Sequence, residues 1–245
     1  MTKIGLFSDV HSNIEALEAV LKRLDEEGCD MLLCLGDVVG YGASPNECLQ
    51  LIRDREIPCL MGNHDEYVQL LMDPSVAKLR EEVRQSIEWT QSKLTLEDLK
   101  WLGKLPYRLE LEDEMLCIHS SFAAGRWPYC RDEKSFRENF AEQPVQLAFC
   151  GHSHRPLVGI DTGEEKPFVD FIRPMDLPAD RKVMVNVGSV GQPRDGDNRA
   201  CACTYILETR HLELLRVPYD IETSQNRIFF ARLPEKFALR LEMGK

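Results

Sequence analysis

The stretch CGHSHRP at 150–156 sets His152 and His154 one residue apart, behind a glycine and ahead of a proline. The run VQLAF before it has the short, bounded, apolar character of a buried strand. Side chains at i and i+2 of an extended segment point the same way, so the two imidazoles can converge on one object. Three more histidines follow apolar runs: His11 in FSDVHSN, His64 in MGNHDE and His119 in CIHSS. Asp9, Asp37 (in LGDVVGYG), Asn63 and Asp65 accompany them. Ordinary structure explains each fragment alone. A DxH pair is then a turn aspartate beside a capping or core histidine, and GNHD is a tight turn built on Gly62 and Asn63. Collected together at strand ends, the set is costly without a cation, because buried unpaired imidazoles and carboxylates lose hydration that nothing replaces. Mixed nitrogen and oxygen donors without thiolate suit divalent metals.

Hydropathy outlines the elements that must carry these residues. KIGLFSD reads as a strand and SNIEALEAVLKRLDEEG as a helix with Ile14, Leu17, Leu21 and Leu24 on one face. Ser12 and Glu15 have capping-box spacing, and Gly28 sits at the helix stop. DMLLCLGD is the next strand. SPNECLQLIRDRE is the next helix, with Ser44 as N-cap, Pro45 at the first helical position and Glu47 completing a second capping box. IPCLMGNHD reads as a third strand. This alternation predicts a parallel sheet with right-handed crossovers, and ligands of open α/β sheets bind beyond the carboxyl ends of strands.

Residues 75–104 are helical in pattern, with Val76, Leu79, Val83 and Ile87 on one face before TLEDLKWLGKLP. Strands follow in PYRLELE, EMLCIHSS, VQLAFCGH, KPFVDFI, KVMVNVGS, CACTYIL and LELLRVPYD, with helices expected at 132–142 and 220–232. No Gly/Ser linker, repeat or low-complexity tract interrupts them. The expectation is a single domain over 1–245 with a helical insertion at about 66–104. His211, ahead of LELLRV, reads as a surface residue.

Composition sets limits on partners. Nine cysteines, an odd number with no CxxC pair, read as reduced, buried thiols, and Cys201 and Cys203 as packing on one strand face. A net charge of −11, from 30 Lys and Arg against 41 Asp and Glu, disfavours long nucleic acid as a partner. Small phosphorylated molecules remain open to it, given a local positive charge. MTKIGLFSD lacks a signal peptide's apolar stretch, and nothing later is long enough to span a membrane, so the expected compartment is the cytoplasm.

The ordered series DxH, GD, GNH, H, GHxH resembles the calcineurin-like metallophosphoesterase superfamily. GDVVGYG together with NVGSVGQPRDGD is similar to its compact bacterial phosphodiesterase branch. The resemblance implies an α/β fold: a four-layer αββα sandwich of two mixed β-sheets flanked by helices. It implies two divalent ions, manganese first, with iron, zinc, nickel or cobalt compatible. One would take Asp9, His11, Asp37 and His154; the other would take Asp37, Asn63, His119 and His152, with Asp37 bridging. His64 would be the catalytic histidine outside the ligand set, and Asp65 would either orient it or cap the helix that follows.

The activity implied is metal-dependent hydrolysis of a small phosphodiester or phosphoanhydride, a nucleotide among the candidates. A hydroxide bridging ions about 3.5–4 Å apart would attack, and His64 would assist the leaving oxygen. Two such ions against two ligand carboxylates leave a locally positive site in an acidic chain. Protein phosphatases of the superfamily carry GDxVDRG; Gly40 and Tyr41 stand at those places here, which weakens that reading. A phosphomonoesterase, a nuclease and a non-catalytic interaction scaffold on the same fold remain as alternatives. Substrate contacts are expected from Arg194 in GSVGQPRDGD, from Tyr41 and from Trp127, with Arg126 and Tyr129 nearby in AAGRWPYC. Pairing of Arg194 with Asp195 or Asp197, and plain loop packing of Trp127, are the competing explanations.

Overall fold

Side-chain alternation along the strands decides the layers. In β5 (Leu147–Cys150), Leu147 and Phe149 enter one core while Ala148 and Cys150 enter another, as a period of two requires. β9 (Val183–Val187) does the same, with Val183, Val185 and Val187 opposite Met184. In β1 (Lys3–Phe7), Ile4 and Leu6 face that same inner core and Phe7 faces away. The inner core therefore lies between two sheets, and each sheet presents a second apolar face to helices. This computed structural model describes residues 1–70, 73–112 and 115–245.

The first sheet runs β2 (Met31–Cys34), β1, β10 (Ala200–Ile206), β11 (His211–Val217), β8 (Met175–Asp176). Only β1 and β2 are parallel; the other neighbours are antiparallel. The second runs β3 (Arg108–Glu112), β4 (Met115–Ile118), β5, β9, β6 (Pro156–Ile160), β7 (Phe168–Phe171). Its centre, β4–β5–β9, is parallel and its flanks are antiparallel. α1 (Ile14–Glu26) and α2 (Pro45–Asp54) pack Leu17, Leu21, Leu24, Leu49 and Ile52 onto the outer face of the first sheet. α7 (Glu133–Glu142) packs Phe136 and Phe140 onto the second. The result is the four-layer sandwich of two mixed sheets between helices.

Several sequence expectations are corrected. The sheet holding β1 and β2 is not wholly parallel, because β10 returns from far along the chain to pair antiparallel with β1. IPCLMGNHD makes one parallel bridge, Cys34 to Cys59, and no full strand, since the chain turns at Gly62 into α3 (Asn63–Tyr67). α1 is capped by Asn13, whose side chain accepts from the Ala16 amide at 3.2 Å. Ser12 lies at φ +54°, so the Ser12–Glu15 box does not form. Ser44 and Pro45 open α2 as expected, but the Ser44 hydroxyl makes no capping bond.

Within residues 66–104, where the sequence leads one to expect a helical insertion, lie α4 (Pro74–Ala77), α5 (Glu81–Lys93) and α6 (Leu96–Leu102). α8 (Ile221–Phe230) matches expectation, whereas β6, β8 and α9 (Glu235–Met243) add to it. α8 and α9 pack Ile228, Leu233, Phe237 and Leu241 around Tyr41. Among the described residues, no helix is long and apolar enough to cross a membrane.

Candidate metal centre

The residues of interest lie just past the ends of β1, β2, β4 and β5 and at the start of α3. There the chain adopts left-handed backbone at non-glycine residues: Asp9 (φ 55°), His11 (49°), Asp37 (55°), Tyr41 (59°), His152 (66°) and His154 (59°). Each such residue costs roughly 1–2 kcal/mol. Neighbouring backbone holds the turns in place. His11 N–H donates to the Asp37 carbonyl at 3.0 Å, Asp9 N–H to Gly36 at 2.9 Å and Gly191 N–H to Asp9 at 2.9 Å. The two histidines of GHSH are thus not consecutive inward positions of a strand. They sit on a turn that sends them to different neighbours.

Donor atoms of Asp9, His11 and His154 lie within 4.8 Å of one another, as do those of Asp37, His119 and His152, and those of His11, Asp37 and His64. All seven residues are buried. Asp37 and His11 each belong to two of these groups, and Asp37 Oδ2 is 3.6 Å from His11 Nε2 and 3.4 Å from His119 Nε2. Asn63 Oδ1 stands 3.2 Å from His119 Nε2. Close loop approach makes this possible. A Cβ on Gly62 would meet Asp37 Oδ1 at 2.2 Å, and one on Gly151 would meet Asp9 Oδ2 at 2.4 Å.

Backbone carbonyls fix the tautomers. His11 Nδ1 faces Val39 O at 3.2 Å, His154 Nδ1 faces Gln192 O at 2.7 Å and His119 Nδ1 faces Leu35 O at 2.8 Å. His152 Nε2 faces Trp127 O at 3.1 Å. A carbonyl only accepts, so each of these nitrogens carries a hydrogen and the other nitrogen of the ring is the one turned to the centre. His11 Nε2 and His154 Nε2 face each other at 3.0 Å, a contact that a shared hydrogen or a cation between them would satisfy. Buried Asp9 Oδ1, 3.2 Å from His154 Nε2, has no hydrogen-bond partner among the described residues. Orphaned lone pairs on mixed N and O donors, oriented from behind by carbonyls, fit divalent cations.

The electrostatics point the same way. Burial, then the Arg194 charge, pushes His154 down to about 3; burial, then His119, pushes His152 to about 4. Both keep lone pairs free at neutral pH. Burial opposes the charge on His119, yet Asp37 outweighs it and lifts the imidazole to about 10. Burial likewise opposes the Asp9 and Asp37 charges, but the facing imidazoles hold both carboxyls below the usual range. The two aspartates demand the positive charge that metal ions would supply.

The remaining expected residues separate clearly. His64 lies 4.4 Å from the Tyr41 ring and 4.8 Å from the His11 ring, and its buried Nδ1 has no partner among the described residues. Burial holds it well below the ordinary imidazole value. The orienting role for Asp65 is corrected. Its Oδ1 accepts from Val38 and Val39 amides at 3.0 and 3.1 Å and its Oδ2 from Gly62 at 3.1 Å, so it braces the Asp37 loop and caps α3. Burial, then Asp37, raises it to about 7.

Trp127 lines the cleft and is held in place there: its indole donates to Glu66 at 3.0 Å, its ring meets His119 edge-on at 5.6 Å, and its carbonyl faces His152. Arg126 is paired with Glu66 at 2.9 Å. Tyr129, named only in passing from sequence, stacks on His152 at 4.0 Å. Arg194 does not pair with Asp195 or Asp197, which engage Arg216 and Arg199; it lies over Tyr41 at 5.7 Å. His211 bonds Asp176 at 2.7 Å, away from the centre. Cys201 and Cys203 are buried and belong to no metal-binding group among the described residues. Arg240, from the unexpected α9, reaches the same cleft. No sequence signal marked it, because its helix was not anticipated.

A cleft of about 530 Å³ opens over the centre, lined in part by Tyr41, Asn63, His64, Trp127, Tyr129 and His152. Comparison with known proteins agrees with this geometry. The chain is 37% identical to an uncharacterized protein of Methanocaldococcus jannaschii over 252 residues, 99% of this chain and 98% of that one. A crystal structure of a metallophosphoesterase from Sphaerobacter thermophilus matches with a TM-score of 0.84 at 32% identity, covering 100% of both chains. A hypothetical protein from Pyrococcus horikoshii OT3 shares the fold, with a TM-score of 0.81 at 17% identity over 100% and 99% of the two chains. The family model described as the calcineurin-like phosphoesterase superfamily domain matches residues 2–210, and the chain belongs to that superfamily of phosphoric ester hydrolases.

Proposed function

We propose that the protein is a metal-dependent phosphoesterase that hydrolyses a small phosphodiester or phosphoanhydride, with nucleotides among the candidates. Asp9, His11, Asp37 and His154 would hold one divalent ion, and Asp37, Asn63, His119 and His152 the other. Manganese is the first choice, with iron, zinc, nickel and cobalt compatible. When bound, such ions activate water as nucleophile and clamp phosphoryl oxygens for in-line displacement. The observation that carries this reading is the pair of buried donor trios, Asp9–His11–His154 and Asp37–His119–His152, linked by the closeness of Asp37 to His11.

The chain's own residues supply the rest. Asp65 braces the loop that presents Asp37, and backbone carbonyls aim the imidazole lone pairs inward. His64 Nδ1 abuts Gly40, so proton work falls to Nε2. Burial keeps the ring neutral, so its N–H offers a hydrogen bond to the charge developing on the leaving oxygen, and the leaving group takes its proton from water. The positive rim described below draws in an anion despite the acidic chain. Nine cysteines, none in a disulfide, suit a reducing compartment such as the cytoplasm.

The test is hydrolysis of bis(p-nitrophenyl) phosphate and p-nitrophenyl phosphate by manganese-loaded protein, with metal content measured in parallel. Turnover of at least one substrate is expected, and His64→Ala should lower kcat roughly a hundredfold or more. Full metal loading without turnover of either under any divalent ion would favour the non-catalytic scaffold.

A further inference from the structure

The cleft over the centre has a charge quite unlike that of the chain around it. Lys78, Arg80, Arg194, Lys236, Arg240 and Lys245 line it, and no Asp or Glu does among the described residues. The chain's net charge is −11, so this grouping runs against the average. Lys236 is engaged by Glu82 at the rim. Arg194 and Arg240 have no ion pair among the described residues, although both are half-buried and adjacent to one ring. Their guanidinium carbons stand 5.7 and 4.6 Å from the Tyr41 centroid, and the His64 ring stands 4.4 Å from the same centroid.

Their hydrogen bonding is largely unspent. Both donate to one acceptor, Gln192 Oε1, and Arg240 also meets the Tyr41 side chain. The buried Nε–H of each has no partner among the described residues. A guanidinium offers five donors, so most remain free. Burial, then the repulsion of Arg194, lowers Arg240 to about 10. Two like charges held together, half out of water and facing a cleft, are a cost that a bound anion removes. Planar forks match phosphoryl oxygens in pairs.

We propose that Arg194 and Arg240 form a second anion site beside the metal centre, holding a phosphoryl group other than the one cleaved. The substrate class is then a small molecule with two neighbouring phosphoryl groups, such as a nucleoside diphosphate, in place of a simple monoester or diester. The substrate assignment rests on the phosphoesterase reading; the anion site does not. Arg194 lies within the matched residues 2–210 and Arg240 in α9 beyond them, so the pair forms only where the C-terminal helix packs onto the superfamily domain.

Calorimetry with manganese-loaded protein tests the site without turnover, using methylenediphosphonate against methylphosphonate. Wild type is expected to prefer the diphosphonate by roughly ten- to a hundredfold, and Arg240→Gln and Arg194→Gln to lose most of that preference. Arg240→Lys should keep part of it, and it carries the test with Arg194→Gln if Arg240→Gln fails to fold. Kinetics then compare kcat/KM for ADP and p-nitrophenyl phosphate. The substitutions should lower the first at least about tenfold more than the second. An unchanged preference, or equal losses for both probes, overturns the proposal. A diphosphonate preference lost on substitution, in protein that hydrolyses nothing, would leave the anion site standing and refute the phosphoesterase reading alone.

Discussion

Left-handed backbone is concentrated where the chemistry would be. Of the ten non-glycine residues with positive φ among the described residues, seven are Asp9, His11, Ser12, Asp37, Tyr41, His152 and His154. Such conformations persist when the surroundings over-determine them, and here they turn strand ends sharply enough to face one another. Gly40 shows how tight the arrangement is: at φ +91°, its Cβ would stand 2.4 Å from His64 Nδ1. Gly40→Ala is expected to cost about 1–3 kcal/mol of stability and displace His64. Kinetics with metal analysis should show kcat falling while metal content stays near wild type. Protein phosphatases of the superfamily place an aspartate at this position, and here the His64 side chain occupies the space a Cβ would need. The residue types of the site were legible because each sits in a short motif behind a strand. The role of Asp65 was not, since its partners Val38 and Val39 are distant in sequence and are met only through their amides.

At the scale of elements, close packing between layers sets the tolerances. Gly159 in β6 lies under α7, where an added Cβ would reach Phe136 Cδ1 at 2.1 Å. Gly159→Ala is expected to destabilise by about 1–3 kcal/mol through overpacking, read as a lower urea midpoint at unchanged slope. Metal content should be little affected, because the clash lies on the far face of the second sheet. Periodicity located α1, α2, α7 and α8 and most strands, since each buries one face over at least two turns or several alternations. It missed β6, which follows closely on the GHSH turn, and α9, whose buried Phe237, Ala238 and Leu241 make a stripe too short to register. Capping pairs were misplaced by one residue at α1, because a left-handed Ser12 passes the capping role to Asn13.

For the whole molecule, the buried imidazoles couple folding to pH. His152 and His154 have folded values of about 4 and about 3 against 6.5 for the free side chain. A lowered value means the unfolded chain binds more protons as pH falls. Their contribution is therefore fully present above pH 6.5 and is lost progressively below it, toward about 4 and 3. Chelator-treated protein should show its thermal midpoint falling across this acidic window. Replacing both histidines with glutamine should flatten that decline; a slope unchanged by the double substitution would show that other groups govern it. Metal loading should reinforce the same trend, since protons and cations compete for the same lone pairs.

Local order in the chain was enough to determine the motifs, the alternating strands, the acidic balance and the resemblance that names the superfamily. These depend on spacing over a few residues, which a linear reading captures. The resemblance already divided His152 and His154 between two ions with Asp37 common to both; only the tertiary structure decided that a left-handed turn separates the two imidazoles and that α9 brings Arg240 beside Arg194. The physical reason is that these outcomes depend on loop turns and long-range contacts, whose geometry is fixed by backbone bonds between segments far apart in sequence.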